Sequence, residues 1–98
     1  MKIEIIAKTH EIKLAYEFCD AVLCGDKCFE IRFNDRGYQK GDYVKFVPIK
    51  DGAEVYHEIC HKTYIITYVL RYAGIKKGFV VFGIREAKDE LDVKSEVR

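Results

Sequence analysis

The sequence predicts a mainly β, α+β domain with one principal helix and a small sheet curled into a barrel. Three observations predict it. Several short segments alternate apolar and polar residues, or are rich in β-branched and aromatic side chains, with turn residues between them. Only one segment, about residues 15–24, repeats apolar residues at three- and four-residue steps: Ala15, Phe18, Cys19, Val22 and Leu23. The chain has 98 residues, room for one core without staples, and shows no linker or internal repeat. Residues 1–86 read as a single domain and 87–98 as a charged tail.

Taken in order, residues 2–8 set Ile3, Ile5 and Ala7 against Lys2, Glu4, Ile6 and Lys8, an expected strand. Residues 10–14 read as a short strand or an extended entry with Ile12 and Leu14 inward, and His10 and Lys13 are expected on the polar side. The helix follows, with Glu17 and Asp20 near its positive end and Phe18 in the stripe expected to pack on the sheet. Gly25 stands where a residue closing a helix needs positive φ. Phe29, Ile31 and Phe33 alternate with Glu30, Arg32 and Asn34, a strand whose apolar face is expected in the core and whose polar face lines a cleft. Residues 34–41 are a loop. Tyr43–Ile49 is a strand, and Pro48 suggests an edge or an end. Asp51-Gly52 marks a hairpin turn. Tyr64–Leu70 is a strong strand former. Phe79–Ile84 is apolar on both parities and is expected to be covered on both faces.

Composition excludes several classes. Seventeen basic residues against sixteen acidic ones give a net charge of +1, so no long-range field draws the chain to duplex nucleic acid. No run approaches the ~20 apolar residues of a membrane helix. The start, Met1-Lys2-Ile3-Glu4-Ile5-Ile6, lacks the long apolar core of a signal peptide. A cytoplasmic location is therefore expected, with Cys19, Cys24, Cys28 and Cys60 reduced. His57-x-x-Cys60-His61 and Cys24-x-x-x-Cys28 do not form two matched half-sites, so no metal and no cofactor are expected.

The most informative stretch is Gly25-Asp26-Lys27-Cys28-Phe29-Glu30-Ile31-Arg32, running on through Asn34-Asp35-Arg36-Gly37 to Lys40-Gly41-Asp42. Residues two apart on a strand stand ~7 Å apart, so Glu30 and Arg32 can lean together or share a ligand. A solvated strand face with a weak ion pair fits the same pattern. The density of charge about one strand end favours a polar site.

The spacing Gly25-x-Lys27-x-x-Glu30-x-Arg32 is similar to the signature of the ASCH domain family, within the PUA-like superfamily. The ordered run from His10-Glu11-Ile12-Lys13, through Ala21-Val22-Leu23-x-Gly25 and Phe29–Asp42, to Tyr64–Leu70 and Gly78–Ile84 resembles the small DUF3850 group. The resemblance implies a PUA-like β-barrel with the signature lining a cleft, and RNA or a nucleotide-like molecule as ligand. Some ASCH relatives hydrolyse acyl groups on modified nucleosides through a Lys and a Thr of this signature; Lys27 matches the Lys, and Glu30 stands at the Thr position.

The expected function is binding of RNA or a nucleotide-like ligand by Lys27, Glu30, Arg32, Asn34, Arg36, Tyr38 and Lys40. Lys27, Arg32 and Arg36 would hold phosphate or carbonyl oxygens, Glu30 and Asn34 would read donor edges, and tyrosines would stack on bases. One alternative is a hydrolase of a modified nucleoside or RNA, with Lys27 and Glu30 as an acid–base pair. Another is a phage-type protein-interaction module, which predicts an unusually large exposed apolar patch. No membrane and no obligate protein partner are expected.

Overall fold

The computed structural model describes residues 6–88. The strand expected over residues 2–8 lies outside the described residues as far as residue 5, and residues 6–8 belong to no strand. Most of the expected tail, residues 89–98, also lies outside them.

The chain runs β1 (Thr9–Ala15), α1 (Tyr16–Leu23), β2 (Phe29–Phe33), β3 (Tyr43–Lys50), β4 (Ala53–Glu54), a 3-10 turn (Glu58–His61), β5 (Tyr64–Leu70) and β6 (Phe79–Glu86). It is a mainly β fold with one helix. The sheet order is β1-β3-β5-β6-β2, with β4 beside β3. β1 and β3 pair in parallel over seven residues, from Thr9 opposite Tyr43 to Ala15 opposite Ile49. The other pairs are antiparallel. The sheet curls into a half-barrel with β1 and β2 as its ends.

Local chemistry explains the elements. α1 ends on Gly25 at φ +88°, whose N–H donates to the Val22 carbonyl. β3 and β4 are joined by Asp51-Gly52, both at positive φ (52° and 79°), the type I′ geometry that matches the twist of its flanking strands. Pro48 is fully buried in β3, an interior strand, rather than at the expected edge. Its carbonyl accepts from the Val55 N–H. N–H and C=O of one strand residue point the same way, so the missing N–H faces β4 and leaves the β1 ladder whole.

The core gathers Ile12 and Leu14 of β1, Cys19 and Val22 of α1, Val44 and Phe46 of β3, Tyr64 and Ile66 of β5, and Val80, Phe82 and Ile84 of β6. Burying a side chain such as Phe82 contributes about 2–3 kcal/mol. Phe18 is 44 % exposed, so the helix rests on a narrower line than its periodicity predicts. β6 is closed on one face and half-open on the other.

The alternating strand is turned the opposite way from its predicted orientation. Glu30 is 3 % exposed, whereas Phe29, Ile31 and Phe33 are 45, 59 and 56 % exposed. Period two establishes that a strand has two unlike faces; it does not say which is inside. Here the polar face points into the half-barrel because Glu30 finds two cations there.

Candidate functional site

β1 and β2 do not pair with each other. The seam between them is crossed by side chains of β2 and the loop after it. Arg32 donates from Nη2 to the Lys13 carbonyl, and Arg36 donates from Nη1 to the Glu11 carbonyl. Both carbonyls belong to β1 residues, so guanidinium groups occupy places that a neighbouring strand would fill in a closed barrel.

Glu30 lies beside this seam, opposite the buried Phe82 in the β2–β6 register. Its Oε1 accepts from Arg32 Nη2 at 2.7 Å and Nε at 3.2 Å, a forked arrangement. Its Oε2 accepts from Lys27 Nζ. Lys27 also donates to the Phe29 carbonyl at 2.9 Å, and its ammonium lies 5.6 Å from the Phe18 ring centre and 5.1 Å from that of Phe29. A buried carboxylate needs this much compensation. One anion between two cations leaves a local charge of +1.

Beside this triad is a cavity of about 310 Å³, lined among others by Lys13, Phe18, Lys27, Phe29, Glu30 and Arg32. A second, of about 530 Å³, continues past Arg32 along Glu11, Lys13, Asp35 and Arg36. Lys13 and Arg32 line both. The seam is thus an interrupted groove with polar groups at its floor and aromatic edges at one end.

Of the other predicted ligand residues, Tyr38 borders the second seam cavity, whereas Asn34 and Lys40 line neither. Tyr38 is 2 % exposed, its ring 4.8 Å from both the His10 and Phe82 ring centres, so it offers no free stacking face. Burial pushes its phenol above the ordinary range. Asn34 accepts the Tyr38 N–H at 3.1 Å through Oδ1 and serves the turn. Lys40 is exposed and lines neither seam cavity.

Sequence reasoning missed a buried pair. His10 is 5 % exposed, not on a polar surface, and its Nε2 lies 2.9 Å from Asp42 Oδ2. Asp42 also accepts the N–H groups of Gln39 and Lys8 at 3.1 and 3.2 Å. The signal was available: period two puts His10 on the same face as Ile12 and Leu14. His57 is likewise structural. Its Nδ1 accepts the Ile59 N–H at 3.0 Å, which leaves the ring proton on Nε2 to donate to Asp20 Oδ1 at 2.7 Å. No group of three metal-binding side chains occurs among the described residues.

A third cavity, of about 490 Å³, lies at the β5–β6 connection. Arg71, Lys76, Lys77, Phe33 and the 70 % exposed Tyr72 line it. Among the described residues these three cations have no ion-pair partner; Lys76 lies over the Phe79 ring at 5.6 Å.

No curated protein matches the chain. A family model described as a domain of unknown function, DUF3850, matches residues 9–84, from the first residue of β1 to within two residues of the end of β6. The match takes in the triad, both arginine links and the buried His10–Asp42 pair, and the chain belongs to the DUF3850 family.

Proposed function

We propose that the chain binds RNA or a nucleotide-like ligand at the seam, with one base entering the cavity beside Glu30. The observation that carries this reading is the arrangement at that cavity. Glu30 holds Lys27 and Arg32 through its two oxygens, so both cations stand as donors at the cavity wall, and the half-exposed rings of Phe18 and Phe29 stand beside Lys27. A planar base with acceptor groups on its edge matches that combination. A cavity of about 310 Å³ holds a single base or nucleoside rather than a long strand. The curled sheet with one helix is also compatible with the PUA-like architecture that the ASCH resemblance implies.

Neighbouring nucleotides would find their phosphate contacts in Arg71, Lys76 and Lys77. These lie beyond the Phe33 end of β2, and Phe29 and Phe33 are roughly 13 Å apart at the rise of an extended strand. Hydrolysis has less support. Both Glu30 oxygens are engaged by cations, so acid–base work would require one partner to let go.

Fluorescence anisotropy with a short single-stranded RNA, and calorimetry with nucleoside monophosphates, test the proposal. Lys27→Gln and Phe29→Ala should each weaken monophosphate binding about tenfold or more. Lys76→Glu with Lys77→Glu should weaken only the RNA, and lower its salt dependence by roughly 0.7 per lost phosphate contact. No binding of either probe by the wild-type chain, or affinities unchanged in the seam variants, overturns the proposal. Turnover abolished by Glu30→Gln would replace it with the hydrolase reading.

A further inference from the structure

The outer face of β2, β6 and β5 has no role in the seam chemistry, apart from Phe29, Ile31 and Phe33 along its β2 margin. Strand register fixes its composition. Phe29 stands opposite Gly83 and Gly83 opposite Tyr68; Ile31 stands opposite Val81 and Val81 opposite Leu70; Phe33 stands opposite Phe79. Directly opposed residues share a face, so these eight form one surface three strands wide. None is charged. Phe29, Ile31, Phe33, Tyr68 and Leu70 are each 40 to 63 % exposed.

We propose that this face is a self-association surface, on which a second copy of the chain packs sheet to sheet about a two-fold axis. The area fits. Five large side chains of about 150–250 Å² each, roughly half exposed, leave on the order of 500 Å² of apolar surface. A standard interface covers about 800 Å² per partner, of which about 65 % is apolar in homodimers, again on the order of 500 Å². Charge points the same way. The eight positions themselves are uncharged and cations stand only round them, with Lys27 5.1 Å from the Phe29 ring centre, Lys76 5.6 Å from that of Phe79 and Arg85 next on this face of β6 after Gly83, the apolar centre and polar rim of an interface. An uncharged, twisted sheet face is matched by another of the same hand, as in packed β-sheets whose strands cross at about 30°. A net charge of +1 imposes little repulsion between copies. The two-fold axis would pass near the middle row, where Ile31 meets its own counterpart or that of Val81.

The proposal is independent of the seam reading, because its test uses no ligand. Sedimentation velocity is run on the full chain from about 5 to about 500 μM. The wild type should move from one-chain to two-chain mass as concentration rises. Ile31→Glu sets two carboxylates near the axis and should keep the chain at one-chain mass throughout, with its circular dichroism, and its melting at the lowest concentration, unchanged because Ile31 is 59 % exposed. Leu70→Glu, on another strand of the same row, should do likewise and serves if the first variant folds poorly. A wild type that stays at one-chain mass up to the highest concentration overturns the proposal. So does association that survives both substitutions, and so does a face that Ile31→Glu disables only for RNA binding.

Discussion

Replacing Glu30 by Gln removes the negative charge at the seam while keeping the side chain's shape. In the folded chain this carboxylate is 3 % exposed and accepts from Lys27 Nζ and twice from Arg32. A hydrogen bond involving a charged group is worth about 1.5–3 kcal/mol net, and removing one partner of a buried ion pair costs about 3–5 kcal/mol. The variant leaves two cations side by side, whose side chains are 21 and 26 % exposed, so solvent relieves part of their repulsion. The expected loss is therefore at the lower end, about 3 kcal/mol, a large fraction of a small domain's 5–15 kcal/mol. Urea unfolding followed by circular dichroism measures it, with an unchanged m-value showing that the unfolded state is unaltered. A triple replacement, Lys27→Met, Glu30→Leu and Arg32→Met, should recover most of the loss, since an apolar set of similar volume has no charge to compensate. A Glu30→Gln loss below about 1 kcal/mol would show that the carboxylate is not held as described. A triple variant as unstable as the sum of its single changes would refute the compensation itself.

Three further outcomes follow from particular contacts. Tyr64 is 3 % exposed, its hydroxyl has no hydrogen-bond partner among the described residues, and burial pushes its phenol up to about 12. The folded state thus holds the proton more tightly than the unfolded one, so stability is full below pH ~10 and falls by about 2–3 kcal/mol between pH 10 and 12. Tyr64→Phe should remove that component of alkaline destabilisation and match or slightly exceed wild-type stability at pH 7 in urea titrations. Gly78 has φ +87°, and an added Cβ would lie 2.6 Å from the Phe33 ring; Gly78→Ala should cost about 1–3 kcal/mol and lower the melting temperature accordingly. Phe18→Ala, at a ring 44 % exposed, should cost less than the 3–5 kcal/mol of a fully buried phenylalanine; equilibrium unfolding distinguishes the two.

What could be read from the residues followed local rules. The α1 periodicity ended by Gly25, the Asp51-Gly52 turn and the β-branched run of β5 each appear where the local chemistry places them. The triad was legible too, because Lys27, Glu30 and Arg32 are near neighbours in sequence and meet at their carboxylate. What was not legible depended on long-range partners. Whether Phe29 or Glu30 faces inward depends on cations and a seam, and Arg36 reaches Glu11 across 25 positions of chain. Pro48 looked like an edge residue because the sequence does not show that its missing N–H points toward a two-residue strand. Tyr38 looked like a stacking platform because nothing local shows that its ring is enclosed between His10 and Phe82.

The side-chain closure of the β1–β2 seam bears on what the two end strands can pair with. An uncapped strand edge invites a foreign strand to zip onto it, and most sheets discourage this with prolines, bulges or inward-pointing charges. This sheet turns its two ends toward each other and covers them with guanidinium groups, so the Glu11 and Lys13 carbonyls are already occupied. Neutralising Arg32 and Arg36 together would uncover those acceptors, converting a closed sheet end into a template for fibrous growth, a hazard detectable by thioflavin fluorescence before any loss of helix or sheet.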